Sequence, residues 1–219
     1  MEAPDRLLAM NAAHAAFRRD LDRLATAAGR ADLADPRRRA ALLAGWRTFK
    51  TQMRKHHEGE DDHIWPRLRE RLSGSENALS VLAEMDAEHS RLDTLLKAVD
   101  DTLGSPGQNG VTGGSAPAGR AEVEGAVREL HEALSAHLGH EERDALPLIG
   151  MALSDAEWDD VMDAIRASAD LAFVAEYLPW LADGATGEEL ERIETIVPPP
   201  FRAVYRQEWR PDYARTDRW

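Results

Sequence analysis

Apolar residues recur every three or four positions through four long stretches of the chain. In the first, Leu7, Met10, Phe17, Leu21 and Leu24 form one stripe with His14 set inside it. The period predicts a helix from near Asp5 to about Ala28, with Gly29 suited to its end. A second begins after Asp35-Pro36, a helix-start pair, and carries Leu42, Leu43, Trp46, Phe49 and Met53 on one face. Pro66 should interrupt or kink it, and "SGSEN" (73–77) should close it. The third opens around Ser75 and sets Leu79, Leu82, Met85, His89, Leu92, Leu96 and Val99 in helical register. The fourth runs from about Arg120 through Val123, Val127, Leu130, Leu134 and His137 to Pro147.

Between the third and fourth lies "GSPGQNGVTGGSAPAG" (104–119), whose composition predicts a flexible loop. Shorter helices are expected from Ser154-Asp155, where Glu157 completes a capping box, and near Thr186. The Pro-, Arg- and aromatic-rich tail "VPPPFRAVYRQEWRPDYARTDRW" should pack over the rest as a lid or end plate. Ala, Leu, Arg and Glu greatly outnumber Val, Ile, Phe and Tyr, which favours helix over strand. The expected fold class is all-α: an up-down-up-down four-helix bundle over residues 1–150, with a C-terminal helical extension over 151–219 that packs on it.

The net charge is −13, and no Lys/Arg stripe runs free of interleaved acids, so a nucleic-acid partner is not expected. "DPRRRAALL" (35–43) reads as an exposed first helical turn. The absence of cysteine excludes disulfides and thiolate metal sites. With no signal-peptide pattern and no long apolar run, the reading is a cytoplasmic protein without a membrane partner.

The four stretches are two copies of one hairpin. "HHEGEDDHIWP" (56–66) aligns with "HLGHEERDALP" (137–147), pairing His56 with His137, Glu60 with Glu141, Asp61 with Glu142 and Pro66 with Pro147. "LLAMNAAHAAFRRDL" (7–21) aligns with "LAEMDAEHSRLDTLL" (82–96), pairing His14 with His89. Each copy therefore supplies H … H-x-x-x-E. Residues four apart stand on one helical face, so the His and Glu of each pair reach the same place. His14 and His89 sit inside apolar stripes and should point into the bundle. Imidazole with carboxylate suits iron, manganese or zinc. Buried glutamates with no cation would be costly, which favours a metal over a purely structural role. Asp61 and Glu142 either orient ligand histidines or face solvent, and His63, His131 and His140 fall outside the repeat as surface or supporting residues.

These segments resemble the hemerythrin-like, HHE cation-binding proteins over roughly residues 5–150. The resemblance implies a four-helix bundle holding two iron ions joined by an oxo or hydroxo bridge, with manganese or zinc as the lesser alternatives. The implied ligands are His14, His56, Glu60, His89, His137 and Glu141. Both glutamates would bridge, and His14 and His56 would oppose His89 and His137. Oxygen-carrying relatives have two histidines four apart on the third helix, whereas here Asp93 and Met85 flank His89 at that spacing. His57 is a candidate fifth histidine, although its repeat partner is Leu138. The expected function is binding or turnover of a small oxidant (dioxygen, hydrogen peroxide or nitric oxide), as a di-iron oxidoreductase if it is an enzyme. The alternative is a non-catalytic iron or oxygen sensor or store acting through a partner surface.

Overall fold

The computed structural model describes residues 6–30, 35–104 and 119–219. Helix α1 (Leu8–Arg30) packs beside α2 (Pro36–Gly59), which continues through a single π turn (Glu60–Ile64) into α3 (Trp65–Arg71). The third long helix is α4 (Glu76–Leu103). The fourth, α5 (Arg120–His140), runs through its own π turn (Glu141–Ala145) into α6 (Leu146–Ala152). Contacts run α1 to α2, α2 to α4, α4 to α5 and α5 back to α1, so the helices follow chain order around a closed ring. Strands are absent among the described residues. The loop expected at 104–119 falls mostly on 105–118, outside the described residues, as does Asp5.

Local chemistry accounts for the helix ends. Asp35 accepts from the Arg37 amide with Pro36 in the first turn, and Ser75 accepts from the Ala78 amide. Gly104 ends α4 in the left-handed region at φ 62°, where a side chain would be strained.

Pro66 and Pro147 do not break their helices. Each lacks an N–H and would crowd the carbonyl four residues back, and a widened turn relieves both problems. The Trp65 amide accordingly donates to the Glu60 carbonyl, and the Leu146 amide to that of Glu141. Both π turns start on a glutamate singled out by the repeat.

Five further helices follow: α7 (Asp155–Ala167), α8 (Leu171–Leu181), α9 (Gly187–Ile196), α10 (Arg202–Val204) and α11 (Arg210–Arg215). Helix α7 opens on the Ser154/Glu157 capping box. Helix α8, "LAFVAEYLPWL", had no counterpart among the expected elements. The C-terminal segments pack along the bundle. Leu178, Trp180, Leu181, Ile193, Val197 and Tyr205 are buried in the same apolar cluster as Phe17, Leu21, Trp46 and Phe49 of the bundle. Trp180 donates to the buried Asp20 carboxylate at 2.8 Å, and Thr48 donates to Glu176 at 2.7 Å.

The last residue, Trp219, closes over α2: its amide donates to the Ala41 carbonyl, and its ring lies 2.5 Å from where a Cβ on Gly45 would stand. Gly45→Ala is therefore expected to displace Trp219 and destabilise the protein by about 1–3 kcal/mol. Thermal melting with limited proteolysis of the C-terminus checks this.

The core is split in two. One apolar cluster holds Phe17, Leu21, Trp46, Leu96 and Leu130. The other holds Met10, Trp65, Leu68, Leu82, Met85 and Leu146 at the α3/α6 end. Trp65 and Leu146, the residues just before the two prolines, both lie in this second cluster. The layer between the two clusters is polar.

Candidate metal centre

That layer is made of His14 (α1), His56 and His57 (α2), Glu60 and Glu141 (the two π turns), His89 (α4) and His137 (α5). Six of the seven are buried outright, and the His56 side chain is 10% exposed. Their ligand atoms form two groups, each within 4.8 Å: His57, His89 and His137 in one, and His14, His56, Glu60 and Glu141 in the other. Each carboxylate lies between the groups. Glu60 is 2.9 Å from His56 Nε2 and 3.4 Å from His89 Nε2, while Glu141 is 3.3 Å from His14 Nε2 and 3.8 Å from His137 Nε2.

The outward ring nitrogens are held. His14 Nδ1 pairs with Glu142 at 2.9 Å, His89 Nδ1 with Asp61 at 2.8 Å and His137 Nδ1 with Glu88 at 2.8 Å. A carboxylate on Nδ1 keeps the proton there and turns the lone pair on Nε2 inward. Arg18 clamps Glu142 with two hydrogen bonds, and His140 shares Glu88. Inside the layer the reverse holds. The Nε2 atoms of His14, His56, His57, His89 and His137, and both oxygens of Glu60 and Glu141, are buried without a hydrogen-bond partner. Five imidazole nitrogens and four carboxylate oxygens left unpaired at one point are costly in a folded protein. Cations bound between them would satisfy all nine atoms, so the donor set fits metal ions.

Electrostatics express the same conflict. Burial lowers the proton affinity of His14, but the Glu141 carboxylate close to its Nε2 and the hydrogen bond to Glu142 outweigh it and hold the pKa up at about 9. Burial pushes His56 down to about 3 and His57 well below its usual value. Burial, with the charge of Glu141 beside it, pushes Glu60 well above the carboxylate range. Glu141 stays low despite burial because the His14 ring lies against it. The hydrogen bond from His14, reinforced by Arg18, holds Glu142 at about 2.

The structure brings together all six residues that the repeat predicted. It also brings in His57, whose ring stacks on His89 at 3.9 Å between centroids and 10° between planes. The π turn, which sets Glu60 and Asp61 on diverging directions, sends Asp61 to His89 as its repeat counterpart sends Glu142 to His14. Glu88 escaped the sequence reading because its repeat position is Ala13, so a search for two-fold features passes over it. His131 lies outside the layer and pairs with Asp22, and His63 is half-buried beyond it.

Asp61→Asn leaves the fold intact and weakens the hold on His89. Metal affinity is expected to fall about 10- to 100-fold, as measured by chelator competition.

A helical bundle with imidazoles and carboxylates gathered at its centre is a cation-binding bundle. The family model of the hemerythrin HHE cation binding domain matches residues 7–149, and the chain belongs to that family. The match stops just short of α7. No curated protein and no solved structure matches the chain significantly. No helix among the described residues is long and apolar enough to cross a membrane.

Proposed function

We propose that the chain is a non-haem di-iron protein that binds or turns over a small oxidant: dioxygen, hydrogen peroxide or nitric oxide. The ligands would be His14, His56, His57, His89, His137, Glu60 and Glu141. The observation that carries this reading is the set of nine unpaired donor atoms in two adjoining groups, with Glu60 and Glu141 each within 4 Å of a histidine of either group. Imidazole and carboxylate without thiolate suit iron, with manganese or zinc behind it. Bound iron would supply the electrons that reduce the oxidant.

The chain's own residues supply the rest. His57, His89 and His137 hold one side with three imidazoles, whereas the other side has only His14 and His56. The two-histidine side borders a cavity lined by His56 and Glu60, which is where an external ligand would enter. With His57 among them, five histidines converge on the layer. Glu142, Asp61 and Glu88 fix the imidazoles so that no reorientation is needed when the ligand enters. Phe17, packed 5.1 Å from His56, and the two apolar clusters shield the layer along the bundle axis.

Peroxide consumption per iron in the loaded protein tests the reactive step. Many turnovers per iron would mark an enzyme, and a single stoichiometric reaction would mark a binder or sensor. No reaction with any of the three oxidants would remove the proposal.

A further inference from the structure

A cavity of about 460 Å³ lies between α1 and α2 of the bundle and the α7–α8 hairpin, closed on one side by the chain at Ile196–Phe201. Its inner wall includes His56 and Glu60, so it abuts the two-histidine side of the polar layer. A volume of this order accommodates a drug-sized organic molecule, whereas a diatomic or hydrogen peroxide needs only a fraction of it. The remaining wall is largely apolar, with Met162, Ile165, Phe173, Val174 and Phe201 facing the space. Leu171, 60% exposed and one of the most exposed large apolar residues described, stands among the lining residues.

Gln52 supplies the polar contact. It is 1% exposed and lines the cavity, and both its amide nitrogen and its amide oxygen lack a partner. An unsatisfied buried amide costs about 1–3 kcal/mol per group, which a ligand's hydrogen bond would recover. Gln52 stands one helical turn before His56, so a ligand bonded to it lies against the cluster. Its repeat counterpart is Ala133, so the feature belongs to this side of the bundle only. The cations on the wall are already paired: Arg6 with Asp155, Lys55 with Glu58 and Arg166 with Asp163. The site therefore favours a neutral molecule over an anion.

We infer that this cavity binds a neutral, largely apolar organic molecule through one amide, carbonyl, amine or hydroxyl group bonded to Gln52, with its inner end against His56 and Glu60. The C-terminal extension thus builds a binding site beside the candidate metal centre. The inference does not depend on which metal the cluster holds, or on oxidant chemistry.

N-phenyl-1-naphthylamine, a neutral fluorophore with a single N–H donor, is the probe. Titrated into the full chain, metal-free and metal-loaded in parallel, it should give saturable one-to-one fluorescence enhancement in both. Val174→Trp, which fills the cavity, should weaken binding at least tenfold. Ala169→Trp on the same wall should do likewise, and serves should the first variant fail to fold by circular dichroism. Gln52→Leu, which keeps the volume and removes the hydrogen bond, should weaken it about fivefold. Met151→Ser, outside the cavity, should change nothing. Non-saturating enhancement, or binding unaffected in folded Val174→Trp and Ala169→Trp proteins, overturns the site. Binding unaffected by Gln52→Leu overturns the hydrogen bond assigned to Gln52. Iron content and peroxide reaction measured on the same samples stand or fall separately.

Discussion

Glu60→Gln is expected to cost the protein its metal while making the metal-free fold more stable. Glu60 is buried between His56 and His89, one from each group of ligand atoms, so it is one of two residues able to join the groups. Glutamine keeps its shape but offers a neutral, weaker ligand, and metal content should fall from about two ions per chain to one or fewer. In the absence of metal the same substitution removes a carboxyl that burial and the neighbouring Glu141 both disfavour as an anion. Burial and Glu141 outweigh His89 and His14 in setting the Glu60 carboxyl, so the neutral isostere relieves the conflict. A rise of roughly 2–6 °C in the metal-free melting temperature is expected for a chain of this size. Metal-loaded and metal-free melts of both proteins, with elemental analysis, separate the two effects. Unchanged metal content would show that Glu60 is not a ligand.

The stabilisation conferred by metal is expected to widen as the pH rises from 6.5 to 9. In the metal-free protein His14 is held at about 9 against 6.5 in the unfolded chain. A raised pKa contributes stability that is complete below 6.5 and lost as the pH rises through 9, on the order of 3 kcal/mol. His89 is raised as well and acts in the same direction. On the acid side, His56 is held at about 3, so the unfolded chain takes up a proton near 6.5 that the folded chain refuses. Metal-free stability should therefore fall below 6.5 too, leaving a maximum near that pH. Metal binding needs the imidazoles neutral, so affinity climbs over the same alkaline window in which the metal-free fold weakens. Calorimetric melts of both forms between pH 6.5 and 9 measure the gap. A constant or shrinking gap would show that His14 does not give up a proton to metal.

The long amphipathic helices were legible in the sequence because each buries one stripe and exposes the rest. The six repeat-related candidate-site residues stood out because the chain carries the pattern twice. The Asp61/Glu142 pair shows how far the repeat reaches, since the two carboxylates occupy equivalent positions on opposite histidines. What the repeat could not reveal is whatever breaks its symmetry. His57 stands opposite Leu138, Glu88 opposite Ala13 and Gln52 opposite Ala133, and each acquires its role from a neighbouring helix rather than from its own spacing. Helix α8 is short, apolar on most sides and carries Pro179 near its end, so its pattern resembles neither an amphipathic helix nor a loop. The prolines at 66 and 147 were visible, but a proline's local chemistry signals a break equally well. The sequence alone does not say whether the helix stops at each proline or accommodates it by a π turn.

The central claim is that the polar layer binds a pair of metal ions. Iron-loaded protein, with metal counted by elemental analysis and its positions located by anomalous scattering in crystals, tests it most directly. About two irons per chain, one beside His57, His89 and His137 and the other beside His14 and His56, is the expected result. A single ion, or none within reach of Glu60 and Glu141, would contradict it.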